Sequence, residues 1–97
     1  MKLNIALDFD DTYTADPELW QRFIEDAEKR GHQVWIVTAR RDTAENRGII
    51  AKALGSHEDY VGLIFCNLKS KLDHCDSIGL KIHIWIDDSP SAIVFGV

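Results

Sequence analysis

Three aspartates, Asp8, Asp10 and Asp11, fall within four positions directly behind the apolar residues Leu3, Ile5, Ala6 and Leu7. A second acidic pair, Asp87 and Asp88, follows the apolar run "IHIWI". Between them lie Thr38, at the end of "VWIVT", and two lysines, Lys69 and Lys71. Carboxylates crowd this way only where a cation sits among them or some are protonated. Magnesium is the natural partner, because it prefers hard oxygen ligands and commonly shares one or two carboxylates with phosphate oxygens. Asp8, Asp10 and Asp87 or Asp88 are suitable ligands. A lysine and a threonine hydroxyl would meet the remaining phosphate oxygens. One aspartate could attack phosphorus, and another two residues on could protonate the leaving group and then activate water.

For that chemistry the chain must bring these residues together, and its pattern alternates strand and helix. Apolar runs at 3–9, 32–40, 61–66 and 81–88 read as strands, the second and fourth apolar on both faces. Helices are expected over about 16–30, opened by Asp16-Pro17 and stopped by Gly31; over 42–55, capped by Asp42 or Thr43 and ended by Gly55; and over 69–79, stopped by Gly79. "SPSAIVFGV" reads as a helical turn or a last short strand. This order predicts one α/β domain over residues 1–97, Rossmann-like, with a small parallel sheet of about four or five strands in a three-layer α/β/α arrangement. In such sheets ligands bind beyond the carboxyl ends of the strands. Every predicted strand delivers polar residues at that end.

The motifs, in this order, resemble those of the haloacid dehalogenase-like (HAD) phosphohydrolases. "DFDDT" matches that family's first motif, Asp-x-Asp-x-Thr or Val after an apolar strand. Thr38 in "VWIVTAR" matches the second, Lys71 (with Lys69 as its rival) the third, and "IWIDDSP" the fourth. The resemblance covers nearly the whole chain. It implies Asp8 as nucleophile and magnesium ligand. It makes Asp10 the general acid/base with its backbone carbonyl on the metal, and Lys71 and Thr38 the holders of the phosphoryl group. Asp87 and Asp88 would place the metal, and Asp11 and Thr12 would support the loop. Many members carry a cap domain over the site. Here only residues 13–16 separate the first motif from the first helix, and one helix plus "SHEDYV" separates the second and third strands, so no cap is expected.

The remaining features narrow the function. The net charge is −5, from 16 acidic and 11 basic residues, which disfavours a nucleic-acid partner, including a polynucleotide end. No apolar run approaches the ~20 residues of a membrane span, and "MKLNIALDFDD" lacks a secretory pattern. A cytoplasmic location is therefore expected, with Cys66 and Cys75 as reduced, buried thiols. Arg40 and Arg41 read first as surface charges. Either could touch an anionic substrate, and Arg40 joins Thr38 and Lys69 as a candidate substrate contact. The four histidines lack metal-ligand spacing. The leading expectation is a capless magnesium-dependent phosphohydrolase acting through an aspartyl-phosphate on Asp8. The alternative is a binding protein that keeps the fold and sequesters a nucleotide-type or other phosphorylated small molecule as a homo-oligomer. Short chains of this kind occur in phage and bacterial genomes, where defence or counter-defence would give sequestration a purpose.

Overall fold

The alternation of apolar runs and capped helical segments resolves into a parallel sheet. A computed structural model of the chain describes residues 1–96. Its four strands are β1 (Asn4–Leu7), β2 (Gln33–Thr38), β3 (Val61–Phe65) and β4 (Ile84–Ile86). They are all parallel, in the order β3-β2-β1-β4. The chain steps outward from β1 to β3 and then returns to place β4 on the other side of β1. That reversal makes the carboxyl ends of β1 and β4 the switch point at which α/β sheets form ligand crevices.

The helices are α1 (Pro17–Lys29), α2 (Ala44–Leu54), α3 (Lys71–Ser77) and the short α4 (Ser91–Val94). Each of the first three has a side-chain cap. Asp16 accepts the Leu19 N–H at 3.3 Å, Thr43 the Asn46 N–H at 3.1 Å, and Ser70 the Asp73 N–H at 3.2 Å. Of the two candidates at the second helix, Thr43 is therefore the cap, while Asp42 pairs with Arg47. The tail forms a helical turn rather than a strand, and residues 55–60 form a 3-10 stretch (Gly55–Tyr60) ahead of β3. Val97 lies outside the described residues.

Alternate strand residues feed two cores, as the period of two requires. Leu7, Val34, Ile36 and Phe65 pack with Ile24 and Ala27 of α1 and Ile50 and Leu54 of α2. Ala6, Val37, Ile64 and Cys66 pack with Cys75 of α3. Burial pushes the Cys66 thiol up to about 12 and raises that of Cys75 as well. Trp35 and Trp85 are half-buried against the second core, flanking Ala6 in register. Trp20 lies edge-on to Phe23 beside the first core. At the amino end of β1, the Leu3 and Asn4 N–H groups donate to Nδ1 of His32 and His83, at 3.0 and 2.9 Å. Two of the four histidines thus serve as backbone acceptors. No helix among the described residues is long and apolar enough to cross a membrane.

Gly62 stands opposite Trp35 in the β2–β3 register. A Cβ there would lie 2.2 Å from Cε3 of the Trp35 ring. Glycine weakens most strand interiors, so a larger residue usually helps. Here the indole occupies the space instead. Gly62→Ala is expected to lower stability by about 1–3 kcal/mol through forced displacement of Trp35, read by urea denaturation. Unchanged or greater stability would show that Trp35 is not packed on β3.

Candidate functional site

Leu7 is the last paired residue of β1, and the chain turns sharply just beyond it. Asp8 stays extended, and its N–H donates to the Ile86 carbonyl at 2.9 Å. Residues 9–13 then form an irregular helical turn (Phe9–Tyr13) containing extended Asp10 and left-handed Asp11, φ 62°. Aspartate tolerates that region because its short side chain can bond locally. The Asp11 N–H donates to Thr14 Oγ1 at 2.9 Å, tying the turn. The result separates two nearby carboxylates: Asp8 is buried and Asp10 is exposed.

Lys71 is the first residue of α3, and the Ser70 cap is anchored from outside, its Oγ donating to the Ile93 carbonyl of α4 at 2.9 Å. Lys71 is 2% exposed. Its Nζ donates to Asp8 Oδ1 at 2.7 Å and to Asp87 Oδ2 at 2.5 Å. Lys69, before the cap, is exposed and makes no side-chain hydrogen bond among the described residues. Between the two lysines, geometry therefore singles out Lys71 as the one within the acidic cluster.

Thr12 completes the cluster. Its Oγ1 lies 3.1 Å from Asp8 Oδ2 and 2.9 Å from Asp88 Oδ1, and accepts the Asp88 N–H at 3.1 Å. A hydroxyl has one hydrogen, so it serves one of these carboxylates at a time. Asp87 Oδ1 accepts the Ser89 N–H at 2.9 Å. Oxygens of Asp8, Asp87 and Asp88 lie within 4.8 Å of one another, a hard donor set that could hold a divalent cation. The Asp10 carboxylate is not in that set. It forms a fork with Arg40, whose Nε donates to Oδ2 at 3.0 Å and Nη2 to Oδ1 at 2.8 Å. Thr38 is buried at the end of β2, where its hydroxyl oxygen accepts the Arg40 N–H at 3.2 Å. Arg41 is exposed.

Two residues around Arg40 escaped the sequence reading. Asn46 accepts from Nη1 at 2.9 Å, and the guanidinium lies 5.5 Å from the centroid of the Phe9 ring. Neither carries a local signal: Asn46 reads as an ordinary polar helix residue and Phe9 as strand core. Beside the cluster runs an open groove floored by Leu19, Trp20 and Ile86, with Asp87 and Asp88 at its edge.

Burial is the main force on the Asp8 carboxyl, raising its pKa to about 6 against the opposing hydrogen bond and charge of Lys71. Neighbouring Asp88 and Asp87 push it the same way as burial. Burial works against the charge on Lys71, but its bonds to Asp8 and Asp87 prevail and raise its pKa. Asp88 is lowered by its hydrogen bonds to Asp8 and Thr12. Comparison with known protein families, curated proteins and solved structures finds no match to this chain.

The Asp8 shift has a defined sign in the metal-free protein. Its folded pKa lies above the ordinary value of 3.8, so its contribution to stability is complete below 3.8 and is lost as pH rises through about 6. Asp8→Asn is neutral at every pH and lacks that loss. In chelator, the stability of Asp8→Asn relative to wild type should therefore climb between pH 4 and pH 6.5, by up to about 3 kcal/mol. Denaturation curves at several pH values read this directly. A flat difference would mean that folding does not raise the Asp8 pKa.

Proposed function

We propose that the chain is a magnesium-dependent phosphohydrolase of the capless HAD-like type, with a three-layer α/β/α domain. The observation that carries the reading is the Asp8–Lys71–Asp87 contact. It joins residues 63 and 16 positions apart, the first, third and fourth motif positions, at the carboxyl ends of neighbouring strands. A capped turn would need one acid and no buried lysine.

In this reading a phosphomonoester enters from the exposed side of the cluster. Lys71 and Thr38 orient the phosphoryl oxygens. An Asp8 oxygen attacks phosphorus as the ester P–O bond breaks, and the leaving oxygen takes a proton that Asp10, a carboxylate while paired with Arg40, has first drawn from solvent. Asp10 then removes a proton from water, the new hydroxide attacks phosphorus, and the Asp8–phosphate bond breaks to free the Asp8 carboxylate, while Asp10 keeps the proton it took from water for the next turnover. Asp8, Asp87 and Asp88 would hold magnesium, which fits their oxygen donor set and would offset charge on the phosphoryl oxygens. Asp10 contributes its carboxyl as the proton carrier, in keeping with its position outside that set.

One observation favours the alternative of a binding protein that does not turn its ligand over. Both oxygens of the Asp10 carboxyl, the group that hydrolysis needs, are engaged by Arg40. Such a protein would hold a phosphorylated small molecule at the same cluster and release it intact.

Purified protein with magnesium is expected to release inorganic phosphate from members of a broad phosphomonoester panel. Asp8→Asn should reduce release to background, and Asp10→Asn should slow it by roughly 10²–10⁴-fold. Chelator should abolish it, with recovery on adding magnesium. No hydrolysis across the panel, together with recovery of an intact phosphorylated compound on denaturation, would transfer the case to the binding protein.

A further inference from the structure

We propose that Arg40 exchanges Asp10 for the phosphoryl group of the substrate, so that binding itself frees the acid/base carboxyl. The inference rests on the phosphohydrolase reading and gives the Arg40–Asp10 pair a role in it. A carboxylate with both oxygens in a guanidinium fork has no oxygen directed at a leaving group. The same fork matches phosphate equally well and binds a dianion more strongly.

Three features make exchange, rather than a fixed ion pair, the natural behaviour. Arg40 is anchored independently of Asp10, through Nη1 on Asn46 and the face of the Phe9 ring. The guanidinium therefore keeps its place when Asp10 leaves. The pair is also open to water, with side chains 29% and 49% exposed, so parting it strands no buried charge. Finally, Lys71 is the one cation bonded to the cluster of Asp8, Asp87 and Asp88 among the described residues. Even with magnesium held there, three carboxylates, one ammonium and one divalent cation sum to no net positive charge, so an arriving phosphate dianion needs a further positive group, which Arg40 would supply.

Exchange implies competition, which equilibrium binding measures without turnover. Inorganic phosphate is titrated calorimetrically into the full chain with magnesium. Asp10→Asn removes the competitor and should tighten phosphate binding by roughly three- to tenfold. Arg40→Gln should weaken it by roughly tenfold or more, with Arg40→Lys in between. The decisive variant is the double one, which should bind as weakly as Arg40→Gln alone. If Asp10→Asn gives the same gain with Arg40 absent, the gain is simple relief of repulsion and exchange is overturned. Phosphate binding that is lost in Lys71→Gln yet indifferent to Arg40 overturns exchange and leaves the phosphohydrolase reading standing. A wild-type protein that binds no phosphate overturns both. In steady-state kinetics, Arg40→Gln should act chiefly on KM and Asp10→Asn chiefly on kcat.

Discussion

A buried ammonium group between two carboxylates holds the carboxyl edge of the sheet together. Lys71 cannot sit where it does without partners, since an unpaired charge so deeply buried would cost several kcal/mol. Asp8 and Asp87, each just beyond the last paired residue of β1 and β4, are both bonded to Lys71, which offsets the repulsion between them. Each side of the contact therefore supports the other. It fixes the start of α3 against two strand ends that are otherwise joined by few residues, β4 being three residues long. Ser70 secures the same point twice, as the cap of α3 and as a donor to α4. The terminal turn thus belongs to the support of the site, although none of its side chains enters it.

Much of this was legible in the sequence because the signals were local. Glycines at 31, 55 and 79 all adopt positive φ at helix ends, and Asp16-Pro17 opens α1. Strand lengths were less legible. Composition alone predicts strand at residues 8–9 and 81–83. Residues 8–9 instead lead the turn out of β1. Residues 81–83 approach an edge strand with one neighbour and are held by Asn4, whose Nδ2 donates to the Lys81 carbonyl and whose N–H donates to His83. Apolarity reports burial on a face, and pairing depends on what lies alongside.

The choice between Lys69 and Lys71 shows the same limit and how it yields. Both lie near the expected start of the helix. Once Ser70 is the cap, Lys71 occupies the first turn facing the strand ends, while Lys69 falls outside the helix. Ser-Lys-Leu-Asp is a recognisable start of this kind, so cap chemistry could have chosen between them. The Arg40–Asp10 fork could not have been found this way. It joins residues 30 apart, beyond the ends of different strands, and follows a turn with a left-handed Asp11 that no local rule demands.

The two cations divide the acids into two populations. Lys71 and the Thr12 hydroxyl bind Asp8, Asp87 and Asp88 into one network, most of it shielded, where a shift of any member disturbs the others. Asp10 is outside that network, exposed, and paired with a single residue. A network of mutually fixed oxygens suits groups that must hold position while charge changes around them. A group that must carry a proton to one atom and later take one from another needs freedom of movement. The turn after β1 supplies this difference between residues only two apart, because extended Asp8 and Asp10 are followed at once by the reversal at Asp11. The acid-rich stretch is therefore not one site with redundant charge. It places one carboxyl, Asp8, in a shielded network with Lys71 and another, Asp10, in an exposed pair with Arg40, within one short turn of the backbone.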